Sequence, residues 1–99
     1  MTKEQILDYL REIKVNSIFK EIGLFGSYAK DSSDCFSDID IAIRVDNQYL
    51  KTHDVWDYFD AIKSLQRSIL EQFHIKSDIF DLDSISPFKE QVIEDIIYV

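Results

Sequence analysis

The sequence predicts a mixed α/β domain of the α+β class, and three observations carry that reading. Residues 38–45 alternate between acidic or small side chains and Ile39, Ile41, Ile43 and Val45, the pattern of a strand with one apolar face. Over about 54–73, Val55, Trp56, Phe59, Ile62, Leu65, Ile69, Leu70 and Phe73 recur at helical spacing, a stripe broad enough to pack on a sheet. The short apolar run Ile22, Leu24, Phe25 stops at Gly26, where the chain must turn.

The remaining elements follow in order. Thr2 with Gln5 has the form of a capping box, and Ile6, Leu7, Leu10, Ile13 and Val15 come after it at roughly helical spacing, so a first helix is expected over about 3–18. A strand over 21–25 leads to Gly26 and a short helical turn from Ser27. After the strand at 38–45 and the long helix, Ile75 to Leu82 reads as a further strand carrying Asp78. Ser86-Pro87 suits the N-cap and first turn of a last helix with Phe88, Val92, Ile93 and Ile96, and Ile97-Tyr98-Val99 adds a terminal strand. The order is α-β-(short α)-β-α-β-α, ending in β. Two glycines, one proline and no repeat or low-complexity tract leave no linker, so a single domain over 1–99 is expected.

Composition narrows the function. At 99 residues the core is small, which makes a partner chain plausible from size alone. With 45% hydrophobic and 13% aromatic residues the chain should fold, and 30% charged residues suit a soluble surface. A net charge of -8 with 11 scattered basic residues disfavours direct nucleic-acid binding, while a nucleotide carried with a divalent cation remains compatible. The lone Cys35 cannot form an internal disulfide, no zinc-type Cys/His spacing occurs, and no apolar run reaches signal-peptide or membrane length, so a cytoplasmic protein without a membrane anchor is expected.

The chemistry concentrates in Gly26-Ser27, ten intervening residues, then Asp38-Ile39-Asp40. Asp38 and Asp40, two apart on a strand, point the same way and can converge on Mg2+, a hard cation that prefers carboxylate and phosphate oxygens. Gly26 lets the backbone approach a phosphate closely, the amides and hydroxyl of Ser27 can donate to its oxygens, and Lys30 one turn on can add positive charge. A third acid completes the metal site or accepts a proton, and Asp78 is the first choice, with Asp81 and Asp83 as alternatives. Together these are the parts of a nucleotidyl-transfer site.

That constellation, with the later Asp78-Ile79-Phe80-Asp81-Leu82, resembles the minimal nucleotidyltransferase family of the polymerase-β-like superfamily, from the first helix to Ile97-Tyr98-Val99. The resemblance implies a small mixed β-sheet flanked by helices, with Asp38, Asp40 and Asp78 as metal ligands and catalytic acids and Gly26-Ser27 as the phosphate turn. It also implies an antitoxin that transfers AMP from ATP to a tyrosine of a cognate HEPN ribonuclease toxin and forms a hetero-oligomer with it. Two positions depart from the family pattern. Lys30 is followed by Asp31 where many relatives carry glycine, making the loop more acidic and less flexible, and Arg44 stands where an apolar residue is usual.

Each residue also has a plainer reading. Among 19 acids a two-apart pair is by itself ordinarily a solvated face, and Asp81 and Asp83 form another. Gly26 alone is an ordinary turn glycine, Ser27 an ordinary cap, Lys30 a surface lysine and Tyr28 a packing residue. Cys35, His53 and His74 carry no chemistry in this reading, and Arg44 either reaches the nucleotide or lies at the sheet edge. The combination at fixed spacing raises the site reading above these. Two alternatives to protein adenylylation remain. One is an antitoxin that neutralises its toxin by binding alone, through the acidic surface and the apolar segment Val92 to Val99. The other is nucleotidyl transfer to a small molecule, which usually needs an additional substrate domain.

Overall fold

The computed structural model describes residues 2–34 and 36–99. In chain order the elements are α1 (Lys3–Val15), β1 (Phe19–Phe25), α2 (Gly26–Ala29), β2 (Ile39–Val45), α3 (Asn47–Thr52), α4 (Val55–Phe73), β3 (Ser77–Asp81), α5 (Lys89–Asp95) and β4 (Ile97–Tyr98).

Local sequence explains most of the boundaries. The capping box forms as expected: Thr2 Oγ1 accepts from the Gln5 amide at 3.2 Å, and Gln5 Oε1 accepts from the Thr2 amide at 2.8 Å. The first helix ends at Val15 rather than 18, because Asn16 and Ser17 turn the chain and Ser17 Oγ accepts from the Phe19 amide at 3.2 Å. β1 therefore starts at Phe19, with a register irregularity between Phe19 and Glu21. Asp54 caps the long helix by accepting from the amides of Trp56 and Asp57, and His74 in the left-handed region (φ 58°) ends it. α3 was not foreseen; Asp46 caps it by accepting from the Gln48 amide, and Tyr49 stacks on His53. The last helix starts at Lys89, later than Ser86-Pro87 suggests, with Ser86 Oγ accepting from the Phe88 amide in the preceding turn.

The sheet order is β3-β2-β1-β4, with β1 antiparallel to β2 and β4, and β2 parallel to β3. The parallel pair requires a long crossover, which α3 and α4 supply. Parity along the strands divides the side chains. On one face Ile22, Leu24, Ile39, Ile41 and Ile43 meet Ile6, Leu7 and Leu10 of α1 and Leu65 and Ile69 of α4, all buried. Burial of each such aliphatic side chain stabilises the fold by about 1.5–3 kcal/mol. The other face is smaller: Ala42, Leu82 and Val92 are buried, with Phe25, Phe80 and Ile96 packed against them. Gly23 lies under this layer, where a Cβ would come within 2.5 Å of Ile96 Cγ1, so the lack of a side chain there lets Ile96 pack directly on β1. The site sits at the end of this second face.

Candidate active site

Strand parity puts Asp40 on the face covered by α5, while Ile39 and Ile41 beside it fill the main core. The parallel register pairs Asp40 with Asp78 and Ile39 with Ser77, so the two carboxylate-bearing residues stand side by side on adjacent strands. The Ile39 amide donates to the Lys76 carbonyl at 2.9 Å, which ties the start of β3 to the start of β2. Asp38, exposed and immediately before β2, shares a groove with Asp78.

The other candidates for a third acid are committed elsewhere. Asp81, three positions beyond Asp78, lies on the opposite face, where it accepts the Tyr58 hydroxyl and the Asp83 amide. Asp83 accepts from Arg44 Nε at 3.1 Å, and Arg44 Nη1 donates to Glu21 at 2.6 Å. Arg44 thus ties Glu21 of β1 to Asp83 beyond β3, on the central strand rather than at the sheet edge.

The Gly26-Ser27 turn is built onto the same acids. β1 pairs Phe25 with Asp40, so the chain turns at Gly26 directly beside the Asp40 side chain. Gly26 has φ 73°, a conformation that side chains oppose, and a Cβ there would overlap Asp40 Oδ2. The Ser27 carbonyl accepts from the Ser32 amide at 2.9 Å, folding the following loop back onto the turn. Lys30 ends the turn, with Nζ 3.5 Å from Asp95 Oδ2 of α5. No sequence signal joins these two, since they are far apart in the chain. Tyr28 packs against the main core, as its plainer reading expects. Cys35 lies outside the described residues, and His53 stacks on Tyr49 away from the acids.

The acids repel one another. Partial burial, then the charges of Asp78 and Asp38, hold the Asp40 carboxyl above its usual range, with Lys30 opposing. A cation among them would relieve that repulsion. Among the described residues no three His, Cys, Asp or Glu side chains gather into a ready-made metal cage. Such a set still fits Mg2+, which keeps several waters and is ordinarily held by one or two carboxylates together with substrate phosphates. Asp40 and Asp78 are the pair that would hold it, with Asp38 beside them.

A mixed sheet whose Gly-Ser turn overhangs an Asp-x-Asp strand defines the class of nucleotidyl-transfer folds. Residues 4–99 match the family described as Polymerase beta, Nucleotidyltransferase, and the chain belongs to that family. It is a nucleotidyltransferase. Two relatives from Methanocaldococcus jannaschii, "Putative protein adenylyltransferase MJ0126" and its namesake MJ1217, are 33% and 32% identical, each match covering 98% of this chain and 93% of the relative. A crystal structure of a toxin–antitoxin with AMP-PNP superposes with a TM-score of 0.67 at 26% identity, over 99% of this chain and 72% of that one. A mutant MntA–HpeT toxin–antitoxin structure superposes with a TM-score of 0.62 at 25% identity, over 100% and 72% of the two chains. The resemblance to the minimal nucleotidyltransferase family is thereby borne out, as is the mixed, helix-flanked sheet. No helix among the described residues is long and apolar enough to cross a membrane.

Proposed function

We propose that this chain is a Mg2+-dependent protein adenylyltransferase that moves AMP from ATP to a tyrosine of a cognate HEPN-type toxin and so acts as its antitoxin in the cytoplasm. The observation that carries the reading is the in-register Asp40–Asp78 pair beside the Gly26 turn. The relatives named as protein adenylyltransferases and the toxin–antitoxin structure with AMP-PNP support it.

In this reading Gly26 and Ser27 receive the triphosphate, with Lys30 exchanging Asp95 for a phosphate oxygen. Asp38, Asp40 and Asp78 would hold a metal, which when bound would offset the charge building on the phosphates. The tyrosine oxygen attacks the α-phosphorus, the bond to the bridging oxygen breaks, pyrophosphate leaves, and the phenolic proton passes to Asp78. The products are the tyrosyl-AMP ester and pyrophosphate.

The test is incubation with Mg2+, labelled ATP and the toxin, followed by intact-mass analysis of both proteins. Gain of whole AMP units on the toxin, absent for the folded Asp38→Asn/Asp40→Asn variant and for a toxin lacking the tyrosine, is the expected result. A stable complex that silences the toxin without added mass would replace this reading by simple occlusion.

A further inference from the structure

Two grooves open beside the acids, and they differ in chemistry. One, of about 360 Å³, is lined by Asp38 and Asp78 with Gln66, Arg67, Leu70 and Lys76, and offers cations and an aliphatic wall but no aromatic surface. The other, of about 290 Å³, runs from Gly26 and Lys30 between α2 and α5 to Phe88, Gln91 and Asp95, over a floor of Phe25 and Val92. Phe25 is locked edge-on against Phe80, with ring centroids 6.2 Å apart. Phe88 at the rim is 65% exposed. A single exposed phenylalanine is unremarkable on a protein surface. Here it overhangs a groove that begins at the phosphate turn and carries an amide and a carboxylate along the same wall.

We propose that the α2–α5 groove seats the nucleobase, with Phe88 as its stacking face and Gln91 and Asp95 as the groups that select adenine. This rests on the nucleotide reading above. A triphosphate on Gly26-Ser27 leaves its nucleoside to run along one of the two grooves, and a flat π-system takes the one with the aromatic rim. A glutamine amide offers the donor and acceptor that match adenine's ring nitrogen and exocyclic amine. Asp95, an acceptor only, is available to that amine once Lys30 turns to the phosphates, and it opposes the keto oxygen that guanine carries at the same position. The groove on the Asp38–Asp78 side is left for the acceptor.

The experiment is calorimetric titration of the full chain with Mg-ATP, Mg-GTP and Mg-tripolyphosphate, the last carrying the phosphates without a base. Phe88→Ala is expected to weaken Mg-ATP about tenfold, the scale of one lost base–aromatic stack, and to leave Mg-tripolyphosphate unchanged. Gln91→Ala, an exposed position, is expected to shrink the preference for ATP over GTP. Phe88→Trp is expected to keep wild-type affinity, separating loss of stacking from loss of fold. Unchanged Mg-ATP binding by Phe88→Ala, or an equal loss for Mg-tripolyphosphate, overturns the base seat while leaving the nucleotide reading intact. A wild-type chain that binds neither Mg-ATP nor Mg-tripolyphosphate overturns both.

Discussion

Gly26 and Asp40 are packed so closely that a single methyl group on Gly26 would clash with Oδ2 of the Asp40 carboxylate. The β1–β2 register places them there, and φ 73° at Gly26 lets the chain turn without a side chain between backbone and carboxylate. Gly26→Ala should therefore act twice. The left-handed backbone costs about 1–2 kcal/mol, read as a lower denaturation midpoint. The displaced Asp40 should cost more than tenfold in Mg-ATP affinity by calorimetry. Unchanged affinity would show that the Gly26–Asp40 packing does not govern nucleotide binding.

Asp40 should make the protein less stable at neutral pH than it would be without that charge. Its folded carboxyl lies above the usual range because burial and the charges of Asp78 and Asp38 disfavour ionisation. The folded state thus holds the proton more tightly than the unfolded chain. The resulting stability is fully present below the ordinary aspartate pKa and lost as pH rises through the raised value. Asp40→Asn should raise the melting temperature at pH 7 without Mg2+, the gain should vanish in acid, and added Mg2+ should no longer stabilise the variant. A destabilised Asn variant at pH 7 would show that Asp40 is held by something other than repulsion.

The elements bearing the chemistry were legible because short patterns encode them. Asp38 and Asp40 announce their shared face by strand parity, and Gly26-Ser27 follows an apolar run that stops at glycine. What the sequence hides is pairing across the fold. Asp78 and Asp81 were open alternatives because only the β2–β3 register decides which face meets Asp40. Arg44 reads as a candidate ligand until Glu21 and Asp83 are seen to hold it. The Lys30–Asp95 ion pair has no local signal at all. α3 escaped because none of its side chains is fully buried and it depends on the Asp46 cap rather than an apolar stripe.

Asp78 and Asp81 should separate cleanly by mutation. Asp78→Asn should abolish AMP transfer at nearly unchanged stability, since Asp78 is exposed and neighbours Asp40. Asp81→Asn should retain transfer but lose stability, because Asp81 accepts the Tyr58 hydroxyl on the far face. Burial and that bond push the Tyr58 hydroxyl well above its ordinary pKa. Tyr58→Phe should cost about 1.5–3 kcal/mol in chemical denaturation, the scale of a bond to a charged acceptor. Activity lost in Asp81→Asn and kept in Asp78→Asn would reverse the assignment.

Asp31 occupies the place where many relatives carry glycine, and the backbone there still turns through the left-handed region, with φ 58°. Aspartate tolerates that conformation better than most side chains, and its carboxylate pairs with Lys3 of α1 at 3.0 Å. Asp31→Gly should remove backbone strain and an exposed ion pair together. The ion pair contributes about 0–1 kcal/mol and the relieved strain is of similar size, so stability should stay within roughly 0.5 kcal/mol. Nucleotide affinity should respond more clearly. The substitution deletes a negative charge directly after Lys30 and releases Lys3, so a triphosphate on Gly26-Ser27 meets less repulsion. Mg-ATP should bind about threefold more tightly at low salt, and the gain should fade as ionic strength rises. Weaker binding would mean that the Lys3–Asp31 pair holds the turn in its productive shape, and that the aspartate is structural rather than a cost to the site.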